Sequence, residues 1–86
     1  MNITQEKIDF ALSQIENHLK DLGIKNNFSF LRLEESDNEN EKIFFYEVST
    51  SNFKTIIQIS YNFMKEEENN SSDPSFSWMD YKKITE

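Results

Sequence analysis

Asp73-Pro74-Ser75-Phe76-Ser77-Trp78-Met79-Asp80-Tyr81-Lys82-Lys83-Ile84 decides the fold of this chain, because the stretch can be read in two ways. With Asp73 as N-cap and Pro74 in a first turn, it opens a short C-terminal helix carrying Trp78, Tyr81 and Ile84. Read as the continuation after a polar loop, Phe76 to Lys82 is a strand that returns beside the strand before it, since sequential strands usually pair. The strand is the expected reading. It gives a sheet of four strands, where the helix would leave three.

The strand that would receive it is the clearest one in the chain. Thr55, Ile57, Ile59, Tyr61 and Phe63 alternate with Lys54, Ile56, Gln58, Ser60 and Asn62, the period of two that marks one core face, so the odd residues are expected to point inward. Phe28 to Leu33 and Ile43 to Val48 also read as strands from their aromatic and branched content. Both carry apolar residues at odd and even positions, which leaves their orientation open. Ser49-Thr50-Ser51-Asn52 is a polar turn between the second and third strands.

Upstream, residues 4 to 22 read as one amphipathic helix. Ile8, Ala11, Leu12, Ile15, Leu19 and Leu22 follow i, i+3, i+4, i+7 spacing and form a single apolar stripe. Thr4 is placed to cap the N-terminus, Glu6 sits in the first turn at the positive end of the dipole, and Gly23 stands where a left-handed residue ends a helix. The expected fold class is α+β, an N-terminal helix packed on an antiparallel sheet in the order α-β-β-β-β, with residues 1–86 as one domain.

The formal charge of −7 is unevenly spread. Nine of the 16 acids fall in the runs Glu34 to Glu41 and Glu66 to Asp73, within two polar stretches read as loops, residues 34–42 and 65–75, and the seven acids outside those runs are outnumbered by nine bases. In an antiparallel meander successive connections alternate between the two ends of the sheet. If residues 76–82 form a strand, both acidic stretches therefore emerge at one end. Charge of one sign gathered in one place steers partners of the other sign. Solvated connectors that keep a small protein soluble have the same composition.

Composition limits the chemistry. There is no Cys, so disulfides and thiolate chemistry are excluded and a reducing compartment is suited. Met1 to Lys7 lacks the basic and apolar regions of a signal peptide, and the longest apolar run is Ile43 to Tyr46, so a cytoplasmic protein without a membrane span is expected. Asp37-Asn38-Glu39-Asn40-Glu41 looks superficially like the start of a calcium loop. The required Gly is Lys42 and the bidentate Glu is Val48, so no metal site is expected. His18 is the only histidine and lies at the border of the helical stripe. Without a second histidine, a phosphate loop or a nucleophile motif, neither a catalytic site nor a cofactor is expected. Only Lys82-Lys83 cluster as bases, which disfavours direct nucleic-acid binding.

These features point to a small acidic inhibitor or immunity-type protein that occludes a basic surface of a target protein. The surface expected to do so comprises Glu34, Glu35, Asp37, Glu39, Glu41, Glu66, Glu67, Glu68 and Asp73, carboxylates that would imitate a phosphate backbone. One Gly, one Pro, one Ala and one Arg beside ten Asn and nine Ile suggest an AT-rich genome. Acidic proteins of phage or other mobile elements that neutralise a nuclease, a CRISPR effector or a toxin would have this character. The alternative is an adaptor or assembly module. Ile43, Phe45, Ile56 or Met64 on the sheet face away from the helix, Phe10 off the helical stripe, or an edge strand would then pair with a second copy or another chain.

Overall fold

The computed structural model describes residues 2–21, 23, 27–49, 54–68 and 78–84. Its elements are α1 (Gln5–Asp21), β1 (Phe28–Glu35), β2 (Glu41–Ser49), β3 (Lys54–Asn62), α2 (Phe63–Glu68) and β4 (Met79–Ile84). The four strands form one antiparallel sheet in the order β1-β2-β3-β4. Residues 79–84 are thus a strand, as the pairing argument requires. Residues 50–52 of the expected polar turn and residues 73–77 of the deciding stretch lie outside the described residues.

Both ends of α1 follow from local chemistry. The Lys7 amide donates to Thr4 Oγ1 at 3.3 Å and the Ile8 amide to the Thr4 carbonyl at 3.1 Å, which makes Thr4 the N-cap. At the other end Gly23 takes φ +86° and its amide donates to the Lys20 carbonyl at 2.9 Å. That left-handed conformation is one only glycine adopts without strain.

The apolar stripe of α1 buries Ala11, Ile15 and Leu19 against one face of the sheet, where Phe44, Tyr46, Val48, Ile57, Ile59 and Tyr61 are also buried. Register explains why. Phe44 pairs with Ile59 and Tyr46 with Ile57, so even residues of β2 and odd residues of β3 share the face that meets the helix. Rings meet edge-on or tilted across this layer, Phe44 with Tyr61 at 6.1 Å and Tyr61 with Phe63 at 4.9 Å between centroids. Trp78 completes the core at 4% exposure, whereas Tyr81 is 48% exposed and meets the edge of His18.

A β-bulge settles the orientation of the first strand. Phe28 and Phe30 pair with Val48 and Tyr46, but the register then slips so that Arg32 faces Phe45 and Leu33 faces Phe44. The extra residue, Leu31, lets Phe28, Phe30 and Leu33 all lie on the helix side although their spacing is uneven. Strict alternation would have turned Leu33 outward. On the other face Phe45 is nevertheless buried, because the Arg32 guanidinium stacks over its ring at 4.0 Å.

Candidate functional site

The meander brings the β1–β2 turn and α2, which carry eight of the nine expected acids on or beside them, to the same end of the sheet. The Phe63 amide, opening α2, donates to the Asn40 carbonyl of the β1–β2 turn at 2.8 Å, while the neighbouring Asn62 amide donates to the Trp78 carbonyl at 2.8 Å. Both connections are thus tied to one corner of the fold.

The stretches differ from the two loops expected. Glu34 and Glu35 stand on β1 and Glu41 on β2, so the turn itself is only residues 36–40. Its backbone is closed by short polar side chains: Asn38 Oδ1 accepts from the Asn40 amide at 2.8 Å, and Ser36 Oγ accepts from the Asn38 amide at 3.3 Å. Glu66, Glu67 and Glu68 lie on α2 instead of in a loop. Asn62 caps that helix, its Oδ1 accepting from the Lys65 amide at 3.0 Å, and buried Phe63 anchors it to the core. Met, Lys and Glu are good helix formers, so a cap and an anchor suffice for one turn and a half. Asp73 lies outside the described residues.

The chain's own cations occupy part of this surface. Arg32 Nε donates to Glu34 at 2.6 Å, Lys42 Nζ to Glu35 at 2.6 Å and Lys7 Nζ pairs with Glu67 at 2.8 Å. Ser36 Oγ donates to Glu41 at 3.1 Å. Glu34, Glu35, Asp37, Glu39, Glu67 and Glu68 are exposed, while Glu41 and Glu66 are half-buried. Exposed pairs of this kind contribute about 0–1 kcal/mol each, so an incoming cation can displace them readily.

Glu66 is the most constrained of these acids. Burial, and then the adjacent Glu67, hold its carboxyl above the ordinary glutamate range; Lys7 and the Tyr61 hydroxyl act in the opposite direction. The Tyr61 hydroxyl is fully buried behind it, raised well above the usual tyrosine value by desolvation first and by the charge of Glu66 second. On the helix side of the sheet Tyr46 is raised in the same way by burial and by Glu16, to which it donates at 3.3 Å.

Glu66 and Glu67 also line a groove of about 260 Å³ between the two helices, together with Glu6, Lys7, Phe10 and Phe63. The sequence pointed to Phe10 only as a residue off the stripe and to Glu6 only as a helix-dipole partner. Positions 6, 7 and 10 share a helical face, which was the available signal. Among the described residues no three acidic or histidine side chains converge as a metal-ligand set, and no helix is long and apolar enough to cross a membrane. No protein-family model, curated protein or solved structure matches the chain.

Proposed function

We propose that this protein is an inhibitor or immunity-type protein that binds one target protein and occludes its basic surface with the acidic end of the sheet. The observation that carries the reading is the hydrogen bond from the Phe63 amide to the Asn40 carbonyl, which ties the start of α2, the helix of Glu66 to Glu68, to the turn between Glu35 and Glu41. Concentrated negative charge on a folded frame accelerates encounter with a basic groove and rejects acidic partners. The mechanism is steric and electrostatic and involves no bond chemistry. A target that handles nucleic acid, such as a nuclease or a CRISPR effector encountered by a phage, fits best, because its working groove is already built to hold phosphates.

The test compares the protein with a variant carrying Glu34→Gln, Glu35→Gln, Asp37→Asn, Glu39→Gln, Glu67→Gln and Glu68→Gln, both used as bait in extracts of the native cells. The expected result is one basic protein retained by the unaltered bait at low salt, lost as ionic strength rises past about 0.1 M where the Debye length falls to about 10 Å, and absent with the variant. Equal retention by both baits, or retention indifferent to salt, would overturn it.

A second reading is favoured by one observation. Phe30 and Leu31 are 42% and 41% exposed on the edge strand β1, which suits an assembly module that extends its sheet with another chain. The bulge at Leu31 acts against it, since bulges interrupt edge pairing. A dimer that persists in light scattering at high salt and dissociates on Phe30→Lys would favour this reading over the first.

A further inference from the structure

The groove between α1 and α2 combines an aromatic wall with carboxylates. Phe10, 48% exposed, and Phe63 line it together with Glu6, Glu66 and Glu67, and the one cation among its described lining residues, Lys7, is engaged by Glu67. Among the described residues the same pair of groups also occurs on the outer face of the sheet, and there it is filled. Phe45 and Glu34 hold the side chain of Arg32, whose guanidinium lies 4.0 Å from the Phe45 ring centre while its Nε donates to Glu34 at 2.6 Å. Arg32 is the only arginine in the chain, so no second one is available to fill the groove from within.

We infer that the groove lined by Phe10, Phe63, Glu6, Glu66 and Glu67 seats an arginine side chain presented by the target protein. Charge and shape both favour that occupant. The lining carries three carboxylates against one lysine, and a planar guanidinium can lie on an aromatic ring while its edge meets a carboxylate, whereas an ammonium can do only one of these well. Burial already holds the Glu66 carboxyl above its ordinary range with Tyr61 buried behind it, and a cation arriving in front relieves that penalty. The inference rests on the occlusion reading and adds the anchor by which the acidic end grips its target.

The test is an NMR titration of the folded protein with N-acetyl-arginine amide, with the lysine and citrulline equivalents alongside. Citrulline keeps the shape of arginine and removes its charge. The expected result is a saturable shift of the Phe10, Phe63 and Glu66 signals with arginine, weaker by about ten-fold with lysine and absent with citrulline, in line with the loss of a charge-assisted bidentate contact. Phe10→Ala and Glu66→Gln should each abolish saturation, while Glu34→Gln and Glu39→Gln leave it unchanged. No saturable shift, or equal shifts with citrulline, would overturn the site. A lysine response equal to that of arginine would also overturn it, by showing that charge alone acts. The two readings fail separately. A target captured equally well by Phe10→Ala removes the anchor and keeps occlusion, whereas arginine binding without any salt-sensitive target keeps the site and removes occlusion.

Discussion

The two acidic stretches have nearly the same composition and adopt different structures. In the first, acids occupy the facing ends of two paired strands and a short turn closes between them through Ser36 and Asn38. In the second, three consecutive glutamates form the last half of a short helix fixed by a buried phenylalanine and an asparagine cap. What separates them is the residue that precedes the charge. β3 runs out of the sheet with Phe63 still pointing inward, and that one buried ring converts a polar connection into an element. Acidic composition therefore says little about order, and the nearest apolar residue in register says more.

The hardest test of this difference is Phe63→Ala. Removing a fully buried ring costs about 3–5 kcal/mol, and here it also removes the contacts at 4.9 Å to Tyr61 and 6.5 Å to Phe44. Denaturant unfolding should show the loss in stability, and amide exchange should show residues 63–68 losing protection well before the β1–β2 turn. If α2 stayed as protected as before, Phe63 would not be its anchor. Stability this small a domain can spare is limited, so Phe63→Leu serves as the milder variant, with the same order of effects at reduced size.

The caps provide the next test. Asn62→Ala removes the acceptor for the Lys65 amide and should cost about 1 kcal/mol, the usual worth of an N-cap. Asn38→Ala removes the acceptor for the Asn40 amide within an exposed turn that the β1–β2 ladder also holds closed, and should cost about 0.5 kcal/mol. Thermal melts of both variants give the ranking. A turn variant that lost more than the helix variant would mean that the first stretch, not the second, depends on its local side chains.

Much of this architecture was legible in the sequence because it rests on period. The alternation at Thr55 to Phe63 fixed the inward face of β3, the stripe from Ile8 to Leu19 fixed the buried face of α1, and Thr4 and Gly23 marked its ends. The return strand followed from chain economy, and with it the placing of the β1–β2 turn and of Glu66 to Glu68 at one end. Three things escaped, each for a physical reason. The bulge at Leu31 is a property of two strands in register, so one strand read alone shows only apolar residues on both faces. The helical state of Glu66 to Glu68 depends on Phe63 being held by the core, a tertiary effect that outweighs a composition typical of loops. The groove around Phe10 needs α2 brought to the face of α1 that carries residues 6, 7 and 10, and the spacing of those three residues names no partner for that face.

The smallest expected effect is also the most specific to the difference between the stretches. Glu66→Gln and Glu35→Gln each remove one carboxylate of the same acidic end, yet they should act in opposite directions. Glu35 is exposed and paired with Lys42 on the facing strand, so its loss removes a surface ion pair worth about 0–1 kcal/mol and lowers stability slightly. Glu66 is held above its unfolded value by burial first and by Glu67 second, against the pull of Lys7 and Tyr61. The folded state then binds the Glu66 proton more tightly than the unfolded state. That contribution to stability is full below the ordinary carboxylate range and is lost as pH rises through the raised folded value. At neutral pH the ionised Glu66 is therefore a cost, and Glu66→Gln should melt higher than the unaltered protein, with the margin shrinking as pH falls through the carboxylate range until the two curves meet. A series of melts across that range measures it. If Glu66→Gln melted lower at neutral pH, the half-buried carboxylate would have to be a stabilising partner of Lys7, and the groove would be closed by its own cation instead of open to another.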